Sequence, residues 1–374
     1  MEFINVKLSD IGEVVGGATP STKNPDNYDG NIVWITPKDL AGYNKVYISK
    51  GERNITEIGF KSCSTKILPK NSVLFSSRAP IGYVAISEND LCTNQGFKSI
   101  IPNNKIDYKF LYYLLKHNKN YIASKGSGST FKEVSGSVMK EIELSIPKNI
   151  HDQKKISKIL FDIDKKIELN NEINNNLYKI SKQLLLKYLD ENKSSDEINI
   201  SNFLNIFTGK KNANETSPTG KYKFFSCAPE SLLSDTYSCD SAAIIVAGNG
   251  AYTGRTRFYD GKFELYQRTY GLTLKDGFEK NNIYGLYVFM KTIFEPDKMG
   301  GTHGSAIPYI VLSDLTDYKL KYNKVEFDRF SNLVSGNIKM IQENEKSNEK
   351  LLELRDTLLP KLMNGEIDLD NIEI

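Results

Sequence analysis

The chain of 374 residues has four cysteines, Cys63, Cys92, Cys227 and Cys239, and no two of them form a CxxC pair. Its three histidines are isolated from one another and from the cysteines. Neither the ligand spacing of a zinc site nor a disulfide framework is present, so no metal is expected. No apolar run approaches the ~18 residues needed to span a bilayer. The opening MEFINVKLSD lacks the apolar core of a signal segment, so a cytoplasmic protein without membrane contact is expected. Also missing are a GxxxxGK(S/T) phosphate loop and an HExxH metal helix. Charge of one sign is absent as well. With 49 Lys and Arg against 46 Asp and Glu, the net charge of +3 excludes a strongly basic tail but permits local basic patches.

Two fainter signals carry little chemistry. Asn24-Pro25-Asp26-Asn27-Tyr28 echoes the tetrapeptide of amino-methyltransferases, but it lacks the adjacent prolines and any glycine-rich cofactor turn before it. A surface turn is the expectation. Gly16-Gly17 and Gly209-Lys210-Lys211 could offer backbone N–H groups to phosphate, although paired glycines more often only turn the chain. No catalytic residue is assigned.

What the chain does contain begins with residues 153–190, a stretch without proline or glycine. Ile156, Ile159, Ile163, Ile173, Leu177, Ile180 and Leu184 recur every three or four positions, the stripe of a long helix that needs a helical partner. At about 1.5 Å per residue the rod would measure roughly 55 Å. Residues 327–364 repeat the pattern with Phe330, Leu333, Ile341, Leu351, Leu354, Leu358 and Leu362. Phe330, Leu351 and Leu358 each lie 174 residues after Ile156, Leu177 and Leu184. Asn170 and Asn344 occupy the central a-type positions, where a buried asparagine sacrifices stability to fix register. In an antiparallel pair they are expected to face each other.

A nearly equal offset relates the rest of the chain. Composition is sufficient for real cores, with 39% hydrophobic and 11% aromatic residues, and the length suits two or three domains. Residues 1–150 read as short β-rich runs such as NIVWITPKDL and SVLFSSRAPIGYVAI. A helix, YKFLYYLLKHNKN, is capped by Asp107, and the loop KGSGSTFKEVSGS follows it. Residues 195–325 replay this order after the linker DENKSSDE. INISNFLNIFTGK answers VKLSDIGEVVGG, and SAAIIVAGNGAYTGRTRFY answers the first hairpin. Gly82 and Gly254, Gln95 and Gln267, and Thr130 and Thr302 align at an offset of 172. So large a repeat implies duplication rather than a solenoid. The fold expected is α+β, with two pseudo-twofold-related mixed α/β domains, 1–150 and 195–325. They are separated by two long antiparallel coiled-coil helices, in segments 151–194 and 326–374.

Both domains carry polar, glycine-rich surfaces with interspersed Arg, Lys and Gln. The second offers Lys210, Lys211, Arg255, Arg257, Gln267, Arg268, Thr302 and His303. The first offers Lys61, Lys66, Arg78, Gln95, Lys98, Ser127, Ser129, Thr130 and Lys132 in equivalent segments. Arg and Lys can bond guanine O6 and N7, Gln can bond adenine, and Thr methyls can touch thymine. Lysines can also neutralise phosphates without reading sequence. Any single one of these side chains could instead be solvated surface; their recurrence in both halves is what points to double-stranded DNA. Two base-reading modules held apart by helices of set length would read two half-sites at a set separation, and their different sequences make the target asymmetric.

At this point the chain resembles the specificity subunits of type I restriction-modification systems along essentially its whole length. The matching stretches are VLFSSRAPIGYVAI followed by CTNQGFKSIIP, then KISKILFDIDKKI, GGTHGSAIPYI and RDTLLPKLMNGEIDL. The resemblance implies a non-catalytic subunit whose two target-recognition domains each bind half of a bipartite site. Its helices would form the spacer and dock two modification subunits, which methylate adenine with S-adenosylmethionine. Restriction subunits driven by ATP and Mg would join that complex to cut unmodified DNA. Tyr266-Gln267-Arg268-Thr269 stands where the first domain has Asn94-Gln95-Gly96-Phe97, so the two domains are not expected to contact DNA identically. A specificity partner of a related type II system and a coiled-coil scaffold that binds no DNA are the alternatives. If the helices act as a ruler, inserting one heptad beside Asn170 changes the spacer accepted between half-sites. Methylome sequencing of cells carrying the variant would read that spacer, and an unchanged one refutes the ruler.

Overall fold

The computed structural model describes residues 1–128, 132–294, 308–367 and 369. Two compact units emerge, one from Met1–Asn170 with Ser347–Ile374 and the other from Asn171–Lys346. These limits differ from the four sequence segments because the long helices are not separate bodies. The helices Ile150–Glu191 and Lys324–Met363 each give one part to each unit. Ile156, Leu160 and Leu362 complete the first core, while Leu185, Tyr188, Phe327, Phe330, Val334 and Ile338 complete the second.

In the first unit a five-stranded sheet runs in the order Gly12–Gly16, Lys98–Pro102, Val73–Ser77, Ile81–Ser87, Tyr47–Ile48. A three-stranded sheet, Asn54–Ile55, Tyr28–Ile35 and Cys92–Thr93, adjoins it in sequence. Helix Tyr108–His117 buries Phe110, Leu111, Leu114 and Leu115 within the first core. Its start is tied down three ways by Asp107. The Asp107 Oδ1 accepts from the Phe110 N–H (2.9 Å), capping an otherwise unsatisfied donor, and also from Ser157 Oγ (2.9 Å) of the long helix. The Asp107 N–H donates to the fully buried Gln153, whose amide in turn donates to the Pro147 carbonyl. The Asn24–Tyr28 segment is the expected turn, a 3-10 turn at Pro25–Asn27 with the Asn24 side chain accepting from the Asp26 N–H.

The second unit builds one six-stranded sheet, ordered Leu204–Thr208, Thr269–Leu274, Cys239–Ala247, Thr256–Leu265, Tyr222–Phe225, Leu232–Ser234. Helix Asn282–Ile293 packs so closely on the C-terminal helix that a Cβ at Gly285 would lie 2.3 Å from Ser331 Oγ, a site only glycine fills. Each unit also contains a two-stranded antiparallel ribbon, Phe3–Lys7 with Glu143–Pro147 and Glu197–Asn199 with Lys319–Lys321.

Within each unit the helix segments pair antiparallel. In the first, Asp164 meets Arg355 and Asn170 meets Asn348; in the second, Asn174 meets Asn344 and Ser181 meets Asn337. A forward step on one helix is a backward step on the other. This corrects the expectation that Asn170 and Asn344 face each other. Asn170 Nδ2 donates to Asn348 Oδ1 (2.8 Å), and Asn344 Nδ2 donates to Asn174 Oδ1 (2.8 Å). Asn348 follows Asn344 by four residues, as Asn174 follows Asn170, so each asparagine bonds the repeat counterpart of its neighbour one turn on. Part of the expected stripe also lies outside the seam. Ile173, Ile180, Leu333 and Leu354 are exposed, since an α-helix drifts from a 3.5-residue repeat by about 20° per heptad and carries such residues onto a second face.

The strongest polar tie in the first unit is buried. Arg355 Nη1 donates to Asp164 Oδ1 (2.7 Å), and Tyr113 Oη donates to Asp164 Oδ2 (2.7 Å), joining three helices. Burial alone would make Arg355 less basic, but the Asp164 and Asp356 carboxylates outweigh it and raise its pKa. Arg355→Met leaves the Asp164 carboxylate buried without its cation and should cost about 3 kcal/mol. Urea unfolding checks this, and a change under about 0.5 kcal/mol would show the pair to be dispensable.

Candidate nucleic-acid interface

In the first unit the hairpin Val73–Ser77/Ile81–Ser87 ends in the turn Arg78-Ala79-Pro80, and three segments gather on it. The Ser77 N–H donates to the Gly96 carbonyl (2.7 Å), which brings Gln95 beside the turn. Gln95 is exposed and accepts a hydrogen bond from Thr19 through its Oε1. The glycine- and serine-rich loop closes at its base through paired backbone bonds between Ser127 and Glu133 (3.0 and 2.9 Å). Its exit docks on the hairpin where the Val134 N–H donates to the Ser77 carbonyl (3.0 Å). The Glu133 carboxylate therefore sits between two cations, 3.5 Å from Arg78 Nη1 and 3.3 Å from Lys98 Nζ.

Arg78, Gln95, Lys98 and Ser127 are thus brought together, with Lys132 exposed next to Glu133. Lys61 and Lys66 are not part of this cluster. Lys61 pairs with Glu57 on its own helical turn (4.0 Å) and Lys66 with Glu13 (3.6 Å), and among the described residues no ion pair links either to Glu133. Ser129 and Thr130 lie outside the described residues.

In the second unit four loops converge by backbone bonds. Gly248 N–H donates to the Arg268 carbonyl (2.9 Å), Gly209 N–H to Thr269 (3.3 Å), Gln267 N–H to Lys211 (2.9 Å) and Tyr266 N–H to Phe225 (3.0 Å). Lys210, Lys211, Arg255, Arg257, Gln267 and Arg268 fall in this one cluster; Thr302 and His303 lie outside the described residues. The six do not share one role. Lys210, Gln267 and Arg268 are exposed, and Gln267 Nε2 donates to Asn212 Oδ1 (3.0 Å). Arg255 lies over the Tyr252 ring at 4.3 Å, its guanidinium half-exposed.

Two residues expected to reach DNA turn inward instead. Lys211 Nζ donates to Thr236 Oγ1 (2.6 Å) and Ser234 Oγ (3.2 Å) and lies 3.9 Å from the buried Glu264. Arg257 donates to the Ser226 carbonyl (2.6 Å) and the Pro229 carbonyl (3.2 Å), and its guanidinium lies 5.0 Å from the Phe225 ring centre. Burial first, and the neighbouring Arg255 charge second, bring the Arg257 pKa down to about 10, so it stays protonated at neutral pH. Its position two residues along the same strand from Arg255 made the two look equivalent in sequence. The structure separates them, because Arg257 shapes the 226–229 loop that Arg255 leaves untouched.

Sequence reading missed Glu133, the one acid in KGSGSTFKEVSGS, because only hydroxyl and basic side chains were weighed there. It also missed Cys227, whose Sγ donates to Asn249 Oδ1 (3.1 Å) and so joins the 226–229 loop to the following hairpin. A lone cysteine gives no sequence signal for such a role. Among the described residues no group of three His, Cys, Asp or Glu side chains could hold a metal ion, and no helix is long and apolar enough to cross a membrane.

Each unit thus presents a rigidly bonded loop cluster rich in guanidinium, ammonium and amide groups, the chemistry of a surface for a polyanion with hydrogen-bonding edges. That defines a class, a two-module binding protein built on paired helices. The family model for the type I restriction modification DNA specificity domain matches residues 2–179. The MjaIX type I restriction enzyme specificity subunit of Methanocaldococcus jannaschii is 32% identical across 98% of this chain and 94% of its own length. The EcoR124I/EcoR124II specificity subunit of Escherichia coli is 30% identical over 42% of this chain and 40% of its own length. In fold, the chain is similar to the crystal structure of a type I restriction-modification S subunit from M. genitalium. The TM-score is 0.64 at 18% identity, covering 97% of this chain and 96% of that one. The chain belongs to the family of type I restriction-modification specificity subunits.

The two arginines are expected to respond differently to substitution. Arg257→Met removes two charged hydrogen bonds to backbone carbonyls and should destabilise the fold by about 2–3 kcal/mol. Arg255→Ala should stay within about 0.5 kcal/mol of the parent. Urea unfolding of the two variants compares them directly, and equal effects would mean that Arg257 is not an anchor.

Proposed function

We propose that this protein selects the DNA site for a type I restriction-modification complex, each unit reading one half of an asymmetric bipartite target. The observation that carries the reading is the pair of loop clusters, one in each half of an internal repeat, equivalent in chain position but different in side chains. Arg78 and Gln95 would face the first half-site, with Lys98 behind them on Glu133, and Lys210, Arg255, Gln267 and Arg268 the second. Arg and Gln suit guanine and adenine edges in the major groove, and the lysines suit phosphate. In this reading residues 1–150 and 195–325 are the target-recognition segments. The helical segments 151–194 and 326–374 set the spacer and dock two modification subunits. Exposed apolar side chains on the helices, among them Ile173, Ile180, Leu333 and Leu354, supply surface for such docking.

The chain itself would carry no catalysis and no cofactor. S-adenosylmethionine would belong to the modification subunits and ATP with Mg to the restriction subunits, all acting on cytoplasmic DNA. Methylome sequencing of cells expressing the complete system should reveal one split, asymmetric motif with a constant gap. Binding of the purified complex to that duplex should weaken steeply with salt. Arg255→Ala should relax one half of the motif by about 1–3 kcal/mol and leave the other unchanged. A parent complex that prefers no duplex over random DNA overturns the reading.

A further inference from the structure

The cluster in the first unit contains a carboxylate where a phosphate-binding surface would carry none. Glu133 is half-exposed, as is Arg78; Arg78 pairs with its Oε2 and the largely buried Lys98 with its Oε1. The acid is not there by accident of a flexible tail. Its backbone N–H and carbonyl are both bonded to Ser127, and the next residue is bonded to the Ser77 carbonyl, so the side chain is set at the base of the loop and against the hairpin turn. Glu133 also forms a backbone bridge with Arg78, and the bridge that answers it in the second unit pairs Asn249 with Tyr309, so a tyrosine stands at the place of the acid.

Two consequences follow from the charges. An acid shared by two cations neutralises half of their charge, which lowers the attraction for phosphate that any duplex supplies. Each oxygen of the carboxylate keeps a lone pair beyond its cation, and one pressed toward a duplex needs a further hydrogen-bond donor there, since an acceptor taken out of water unsatisfied is costly. On the major-groove edges the donors are the amino groups of cytosine N4 and adenine N6, while guanine O6 and N7 and thymine O4 only accept. We propose that Glu133 is a specificity-determining residue of the first half-site. It holds Arg78 and Lys98 away from indiscriminate phosphate binding and admits a base that presents an exocyclic amino group.

The inference rests on the DNA-recognition reading above and is tested separately from it. The full chain in complex with its modification subunit is titrated with three duplexes at several salt concentrations. These are the methylome-derived target, a set with each base of the first half-site changed, and random DNA. Glu133→Gln should bind random DNA about tenfold more tightly at low salt, with a salt slope steeper by about one. It should also relax the preference for an amino-bearing base at one position of the first half-site, because the glutamine amide donates as well as accepts, while the second half-site is read as before. Glu133→Asp, which keeps the charge, should retain the parent affinity for random DNA and guards against a loop that merely misfolds. If Glu133→Gln leaves both random-DNA affinity and every base preference unchanged while the parent discriminates, this proposal alone is overturned. Equal loss at both half-sites with a lowered melting temperature in both variants also overturns it, in favour of a structural role. A parent that discriminates nowhere removes the DNA-recognition reading itself, and the proposal with it.

Discussion

Closure of each unit by two helical segments from distant parts of the chain is the constraint on which the rest depends. Neither segment could form a core alone. In the first unit Ile156 and Leu160 from one helix and Leu362 from the other bury themselves against the sheet and its helix. The Asn170–Asn348 bond then decides which residue of one helix lies opposite which of the other. Apolar packing tolerates sliding by a turn, because Leu or Ile fills the same hole at similar cost. A buried amide does not, since a slip leaves its donors and acceptor without partners. The half-buried Asn174–Asn344 bond repeats the pairing inside the second unit. Register in the first unit is thus enforced by residues that add no apolar surface to the core.

The loop clusters depend on that closure through the elements that rest on it, and they use their cations in two ways. Some serve the fold: Arg257 ties down the 226–229 loop, and Lys211 sits among Ser234, Thr236 and Glu264. Others stay available at the surface, as Lys210 and Arg268 do. A loop that presents exposed guanidinium and amide groups needs inward-turned neighbours to hold its shape. Otherwise the entropy of ordering it would be charged against every binding event.

Much of this was legible in the residues because it follows from periodicity and repetition. Apolar spacing revealed both long helices, Asp107 announced the helix it caps, and the offsets of 172 and 174 exposed the duplication. The partner of Asn170 was not legible, because the helical pattern locates a seam but not the register at which two seams meet. Nor were the inward turns of Arg257 and Lys211. A side chain's direction is set by which carbonyls and hydroxyls the loops bring within reach, and nothing in Gly-Arg-Thr-Arg distinguishes its two arginines. Glu133 was hidden for the same reason, being brought to Arg78 and Lys98 by backbone pairing of the loop exit with Arg78 and Ser77.

Comparison of the two units explains how one scaffold can hold two differently charged surfaces. In the first, Val134 N–H bonds the Ser77 carbonyl; in the second, Ile310 N–H bonds the Gly248 carbonyl (2.8 Å). Around these bonds Arg78 bridges to Glu133, and Asn249 to Tyr309. The contacts that seat the exit of each loop are made by peptide groups, which every non-proline residue supplies alike. Side chains at the same places are therefore not what seats the loop exit, and they can differ. In one unit they form an arginine–glutamate–lysine cluster, and in the other an asparagine beside an exposed tyrosine. Backbone bonding preserves the shape after duplication, and that preservation is what lets the chemistry of the two clusters diverge without loss of the fold.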